Sequence, residues 1–192
     1  MANVDWMAFR PVMHRDGSPY NGSFTKCYAG ANLFLGDLVT LGATGTAGST
    51  GGAYAQVGRA ATTNLIRGIV VGWQGAPVGN GSATLEDKYC RSGNVVYVAD
   101  TSSLILQGQT VSTGLAAADV GLNIDFVVTA AGDTTTGESG YEVNDGTEAT
   151  TNTLDLKLVG LVESPNNDIT LANMKALVMT NLNWNTDQVV GV

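Results

Sequence analysis

The apolar residues of this chain come in short, β-branched runs, each broken after a few residues by Gly, Asn, Asp or Thr. That pattern constrains the fold more than any other feature. A run too short for a helix and rich in Val and Ile fits a pleated, half-buried strand. The clearest case is Ile66-Arg67-Gly68-Ile69-Val70-Val71-Gly72-Trp73, in which Gly68 and Gly72 mark bulges or close packing. Further strands are expected over residues 94–99, 124–129, 154–162 and 176–180, with weaker ones over 23–28, 38–41, 54–57 and 104–106. In Leu154-Asp155-Leu156-Lys157-Leu158 the period of two puts the leucines on one face and Asp155 and Lys157 on the other.

Helix is scarce. Residues 113–120 and 171–175 allow one or two turns each, short of the roughly 12 residues at which an isolated helix becomes worth forming. Three stretches read as loops: Gly42 to Gly52, Gly75 to Ser82, and the long acidic segment from Thr129 to Asn152. Residues 1–21 have no apolar period and contain Pro11 and Pro19, so they read as an extended N-terminal arm. The expected architecture is all-β: a β-sandwich or barrel-like body over residues 22–192, with that arm and little helix. Two β subdomains are an alternative division of the body, with the boundary open.

Charge narrows the partners. The chain has 192 residues, 9 Lys and Arg against 17 Asp and Glu, and a net charge of −8. The basic residues are scattered and favour the first half, whereas nucleic-acid binding needs them clustered against phosphates, so no nucleic-acid partner is expected. No apolar run approaches the roughly 18 residues of a membrane span, so no membrane partner is expected either. The opening MANVDW carries an early acid and no apolar core segment, unlike a secretory signal. Synthesis and folding in the cytoplasm are therefore expected. Only 14% of residues are charged, against about 25% in ordinary soluble domains, while 44% are hydrophobic. Large neutral contact surfaces suit that balance.

The inventory of catalytic groups is thin. His14 is the single histidine, so no Ser/His/Asp or Cys/His set can be built without it, and no catalytic residue is assigned. Cys27 and Cys90 stand far apart with no Cys/His cluster, and read as reduced, partly buried thiols rather than metal ligands. The glycine-rich stretch 42–52 lacks the Lys and the following helix of a phosphate loop. Asn144-Asp145-Gly146 reads as a tight turn and not as a calcium loop. No cofactor and no metal are expected.

The order of these segments resembles a family of capsid decoration (cement) proteins of tailed bacteriophages. An arm ends in Ser18-Pro19-Tyr20-Asn21-Gly22. Leu35-Gly36-Asp37-Leu38-Val39 is similar to the family's (I/L)GD(L/P)V step, and Ile66 to Gly72 to its IxGVVVG strand. Val95 to Asp100 resembles the RxVYVxD strand, and Asp119-Val120-Gly121-Leu122-Asn123-Ile124-Asp125 the D(I/V)GxNxD turn. Gly137 to Gly140 resembles the TGxSG loop. Leu158 to Val162 with Asn167, then a strand ending at Asn181, resembles the closing LxIxGLVxxxxN…VxIN. The likeness spans about Ser18 to Asn183. It departs at the end, where family members often finish near an Asn-His pair and this chain runs to Val192 without histidine.

The resemblance implies a non-enzymatic virion protein on the capsid surface that bridges neighbouring major capsid subunits. It implies self-association as a homotrimer at local threefold positions, with a homodimer at twofold positions next. Contacts with the major capsid protein and between copies are expected from the arm, from edge strands and from the strand at 66–73. The residues named for them are Trp6, Phe9, Arg10, Arg15, Tyr20, Ile69, Val71, Trp73 and Trp184. The acidic segment 129–152 is expected to face outward. Alternative readings are a tail, fibre or glycan-binding virion module, and a glycan hydrolase using acids in that segment.

Overall fold

A computed structural model describes residues 8–42, 54–74, 88–112 and 114–185. Among the described residues strand makes up 48% and helix 4%, so the all-β expectation holds. The strands are β1 (Arg10–His14), β2 (Thr25–Ala29), β3 (Leu38–Leu41), β4 (Gln56–Arg59), β5 (Ile66–Trp73), β6 (Val95–Asp100), β7 (Leu104–Gln109), β8 (Asn123–Val128), β9 (Tyr141–Ala149), β10 (Leu156–Leu161) and β11 (Lys175–Thr180). Among the described residues the helical content is two 3₁₀ turns, at Thr101–Ser103 and Ala117–Asp119. The first is capped by Asp100, whose carboxylate accepts from the Ser102 amide at 2.9 Å.

Two bodies share these strands. Strands β2-β4-β3-β5-β6 close into a small barrel, in which only the β2–β4 pair is parallel. Strands β1-β7-β11-β10-β8-β9 form an open antiparallel sheet. From β1 in the sheet the chain leaves to build the barrel, and returns beside the strand it left, since β1 pairs with β7. The barrel is thus an insertion between two hydrogen-bonded neighbours.

Alternation along the barrel strands explains the two cores. Val39, Val70, Val96 and Val98 point into the lumen with Cys27, Leu33, Val57 and Cys90. Their neighbours Leu38, Ile69 and Ala99 point outward and pack with Ile66 against Leu106, Ile124, Phe126, Leu156 and Val178 of the sheet. Strand β5 is buried on both sides, which is why it reads as a nearly continuous apolar run. Its surplus apolar surface was expected to meet a partner chain; the chain's own sheet covers Ile66 and Ile69, while Val71 and Trp73 stay half-buried. Cys27 and Cys90 are buried and form no disulfide, and burial pushes the Cys27 thiol up from its ordinary pKa.

Other expectations need correction. Within the expected arm, Arg10–His14 is strand β1, and Phe9 is 1% exposed in the larger core. Gly108 of β7 makes room for it, because a Cβ there would run into the Phe9 ring. Part of the expected acidic loop is the nine-residue strand β9, with Tyr141, Glu142, Val143 and Asp145 buried. The period escaped notice because its inward residues include Asp145, which faces the core side as a hydrogen-bond acceptor. The expected loops at 43–52 and 75–82 lie outside the described residues.

Candidate functional site

The barrel and the sheet meet at a buried polar junction. The segment Leu33 to Leu38 turns sharply at Gly36, whose φ of +86° is unfavourable for a side chain. That turn drives Asp37 inward until it has no exposed surface. Its Oδ1 accepts from the Ser139 hydroxyl at 2.6 Å and its Oδ2 from the Phe34 amide at 3.0 Å. Arg59 Nε of β4 lies 3.3 Å from Oδ2. Burial raises the Asp37 pKa, while Arg59, Ser139 and Phe34 oppose the shift. The Arg59 guanidinium also sits 5.0 Å from the centroid of Tyr141 and 5.9 Å from that of Phe34, and donates to Ala131 O at 2.6 Å. Tyr141 donates its hydroxyl to Ala60 O at 2.5 Å, and burial with the Asp37 charge holds its pKa far above the ordinary tyrosine value. One cluster therefore ties β3, β4 and the β8–β9 connection together.

A second polar joint lies where the β4–β5 turn meets the ends of β10 and β11. Asp155 has no exposed surface; its Oδ1 accepts from the Thr63 amide at 2.8 Å, and its own amide donates to Asp125 Oδ1 at 3.2 Å. Its carbonyl accepts from the Asn181 and Leu182 amides at 2.8 and 3.1 Å. Burial first, then the Asp125 carboxylate, raises the Asp155 pKa to about 7.

The third feature is an apolar groove of about 300 Å³, beside β1 and β5. Phe9, Arg10, Tyr20 and Val71 line it together with Leu35 and Val70. Leu35 is 53% exposed. Four residues expected to mediate association thus converge on one groove, although Phe9 itself is floor and not surface. The others are dispersed. Ile69 is fully buried between barrel and sheet and is not available to a partner. Trp73 packs on the barrel lumen residues. Trp184 is 41% exposed, with the Arg67 guanidinium 4.5 Å from its ring centroid. Arg15 is exposed, and its amide donates to Ser103 O at 2.8 Å. Trp6 lies outside the described residues.

Both sheet edges, expected as partner contacts, are partly covered by the chain itself. On β1 the amides of Tyr20 and of His14 bond Val12 O and Ser18 O, at 3.1 and 2.8 Å. On β9 the Val111 amide bonds Val143 O at 3.2 Å, and Asp145 accepts from the amides of Ser112 and Gly114 at 3.1 and 2.8 Å. Strand addition by a partner is blocked where these local segments already pair. Two more acids of the 129–152 segment are engaged within the chain: Glu142 accepts from the Thr129 hydroxyl at 2.5 Å, and Asp133 from the Thr135 amide at 2.6 Å.

The junction residues were not singled out from sequence, although Asp37 inside the apolar run Leu33 to Leu41 is the kind of charge that must find a buried partner. No family model, no curated protein and no solved structure matches the chain.

Proposed function

We propose that this chain is a structural protein of a tailed-phage capsid surface, which stabilises the shell by bridging neighbouring major capsid subunits as a trimer at local threefold positions. The observation that carries the reading is the groove at which Phe9, Arg10, Tyr20 and Val71 converge beside exposed Leu35. A cement protein needs a stiff body and a side-chain contact surface, and repetition over a lattice lets modest contacts add. The polar residues of the family-like motifs fit a scaffold role. Asp37 of the GD step bonds Ser139 of the TGxSG step, and Asp100 of the VYVxD step pairs with Arg67 at 2.8 Å. Asn167 spans the β10–β11 connection, donating to Val162 O at 2.6 Å and accepting from the Lys175 amide at 2.7 Å. These residues join elements and leave the apolar surface to make contacts.

The test is occupancy on capsids that lack the protein. Leu35→Asp places a charge in the groove at an exposed position and is expected to lower capsid affinity at least tenfold while the fold is kept. Ile169→Asp, at an exposed apolar residue of the β10–β11 connection, is expected to bind as the unaltered chain does. Equal occupancy of all three chains rejects the groove as the contact, and no capsid binding by the unaltered chain rejects the role itself.

A glycan-binding virion module is the second reading. It is favoured by Phe24, 48% exposed and stacked on Tyr97 with ring centroids 4.4 Å apart, since an exposed aromatic face suits a sugar ring. Saturable binding to a host-surface glycan that Phe24→Ala abolishes would select it.

A further inference from the structure

Asp155 is placed where its charge state matters to more than one element. Its carboxylate holds the β4–β5 turn of the barrel through Thr63, its amide meets Asp125 of β8, and its carbonyl meets Asn181 and Leu182 after β11. The same segment continues the join, because the Ile66 amide bonds Leu182 O at 2.8 Å. A single buried residue therefore connects the barrel to two regions of the sheet.

The carboxyl group is incompletely satisfied. Asp155 Oδ2 is buried and has no hydrogen-bond partner. A buried carboxylate with a lone oxygen and a second carboxylate beside it is unfavourable as a doubly charged pair, and a proton between the two relieves it. The surroundings offer little else. The turn at 61–65 (Ala61, Thr62, Thr63, Asn64, Leu65) carries no ionisable side chain, and neither does the segment 181–184. Arg67, behind Trp184, is paired with Asp100. The remaining ionisable groups on the strands around it are Arg59 of β4, Tyr141, Glu142, Asp145 and Glu148 of β9, Lys157 of β10 and Lys175 of β11.

The element held is poised to move. Thr63 has a φ of +72°, a left-handed conformation that a β-branched residue rarely adopts unless its surroundings impose it. Residues 61–63 are exposed, and the Thr63 amide is held inward by its bond to Asp155, while the rest of the turn is closed by the Asn64 amide on Ala61 O at 3.1 Å, the Ala61 amide on Asn64 Oδ1 at 2.9 Å and the Thr40 hydroxyl on Leu65 O at 2.9 Å.

We propose that the Asp125–Asp155 pair is a proton-operated clasp, which locks the β4–β5 turn of the barrel onto the sheet in mild acid and loosens it in mild alkali. The direction follows from burial: the Thr63 bond by itself favours the charged acid, but loosening the turn lets water reach the ionised carboxylate, and desolvation is the larger effect. The Asp155 pKa is raised from 3.8 to about 7, so the folded chain keeps a proton that the unfolded chain releases. This group's contribution is full below about pH 4, declines as pH rises through the folded value near 7, and is absent above it.

The experiment compares the full chain with Asp155→Asn, which keeps the shape and the acceptor for the Thr63 amide but cannot ionise. Urea midpoints are measured at pH 5 and pH 8, and the Thr63 amide is followed by ¹⁵N NMR over that range. The unaltered chain is expected to lose midpoint between pH 5 and pH 8, and its Thr63 amide to titrate with a midpoint near 7. In Asp155→Asn the fall in midpoint is expected to shrink by at least half, and the Thr63 resonance to stay at its acid position. A Thr63 resonance that does not move in the unaltered chain overturns the proposal, as does a full pH slope in the variant. Should the variant fail to fold, the titration of Thr63 in the unaltered chain decides alone.

Discussion

At the scale of single residues, the buried charges determine how the two bodies are joined. Asp37 has no exposed surface and Arg59 is largely covered, with its side chain 21% exposed. Truncating one partner of such a pair leaves the other charge buried without compensation, which costs about 3–5 kcal/mol, whereas replacing both by neutral groups of similar shape is far milder. Arg59→Met is therefore expected to destabilise the chain by about 3 kcal/mol, and adding Asp37→Asn to recover part of that loss. Chemical denaturation of the two variants checks this. A double variant worse than the single one would mean that Asp37 acts mainly through Ser139 and Phe34, to which it is bonded at 2.6 and 3.0 Å. Asp155 behaves differently from Asp37 because it faces another carboxylate and not a guanidinium. Burial raises the pKa of both, but at Asp37 the guanidinium, Ser139 and Phe34 oppose the rise, whereas at Asp155 the Asp125 carboxylate adds to it.

At the scale of elements, strand β1 is the one whose role is most easily mistaken. It lies at an edge, pairs only with β7 among the named strands, and bulges between Pro11 and Met13. Yet it carries Phe9 into the core at its start, where the missing side chain of Gly108 admits the ring. Loss of a buried Phe costs about 3–5 kcal/mol before any strand pairing is counted. Deleting residues 1–17 is consequently expected to lower the thermal midpoint sharply or abolish the transition, while deleting residues 1–7 leaves both Phe9 and β1 in place and keeps it. Differential scanning calorimetry separates the two outcomes. An intact transition after the longer deletion would show that β1 docks without contributing to the core.

At the scale of the whole molecule, the barrel is closed in hydrogen bonds but not self-sufficient in burial. Its lumen residues form one core, while Leu38, Ile66, Ile69 and Ala99 on its outside belong to the core shared with the sheet. An excised segment of residues 22–103 would expose that outer face, and monomers rarely present large contiguous apolar patches to water. Such a fragment is expected to aggregate or to melt without a cooperative transition, whereas the full chain melts as one unit. A cooperative, monomeric fragment, shown by circular dichroism and light scattering, would establish the barrel as an independent domain. The apparent surplus of apolar surface on β5 has the same origin: a strand with two buried faces belongs to two cores at once.

Much of the architecture was legible in local pattern. Strand character depends on β-branching and on what a run of a few residues can bury, so β3 and β5 stand at the expected positions and β6, β8, β10 and β11 within two residues of them. Turn chemistry and the absence of any long apolar period likewise excluded substantial helix. What the sequence did not disclose depends on which surfaces meet. The alternation sets Asp155 opposite the leucines on a strand, whereas it lies in the bend before β10, and the approach of the β4–β5 turn and of residues 181–184 buries it. Strand β9 was hidden because Glu142 and Asp145 read as solvent-facing acids until Thr129, Ser112 and Gly114 are brought to them from other segments. The convergence of Phe9, Tyr20 and Val71 on one groove joins residues far apart in the chain. The reason is physical: propensity and period are properties of neighbours along the chain, while burial, the compensation of a charge and the shape of a groove are set by long-range contacts between elements that the local pattern leaves free to pack in more than one way.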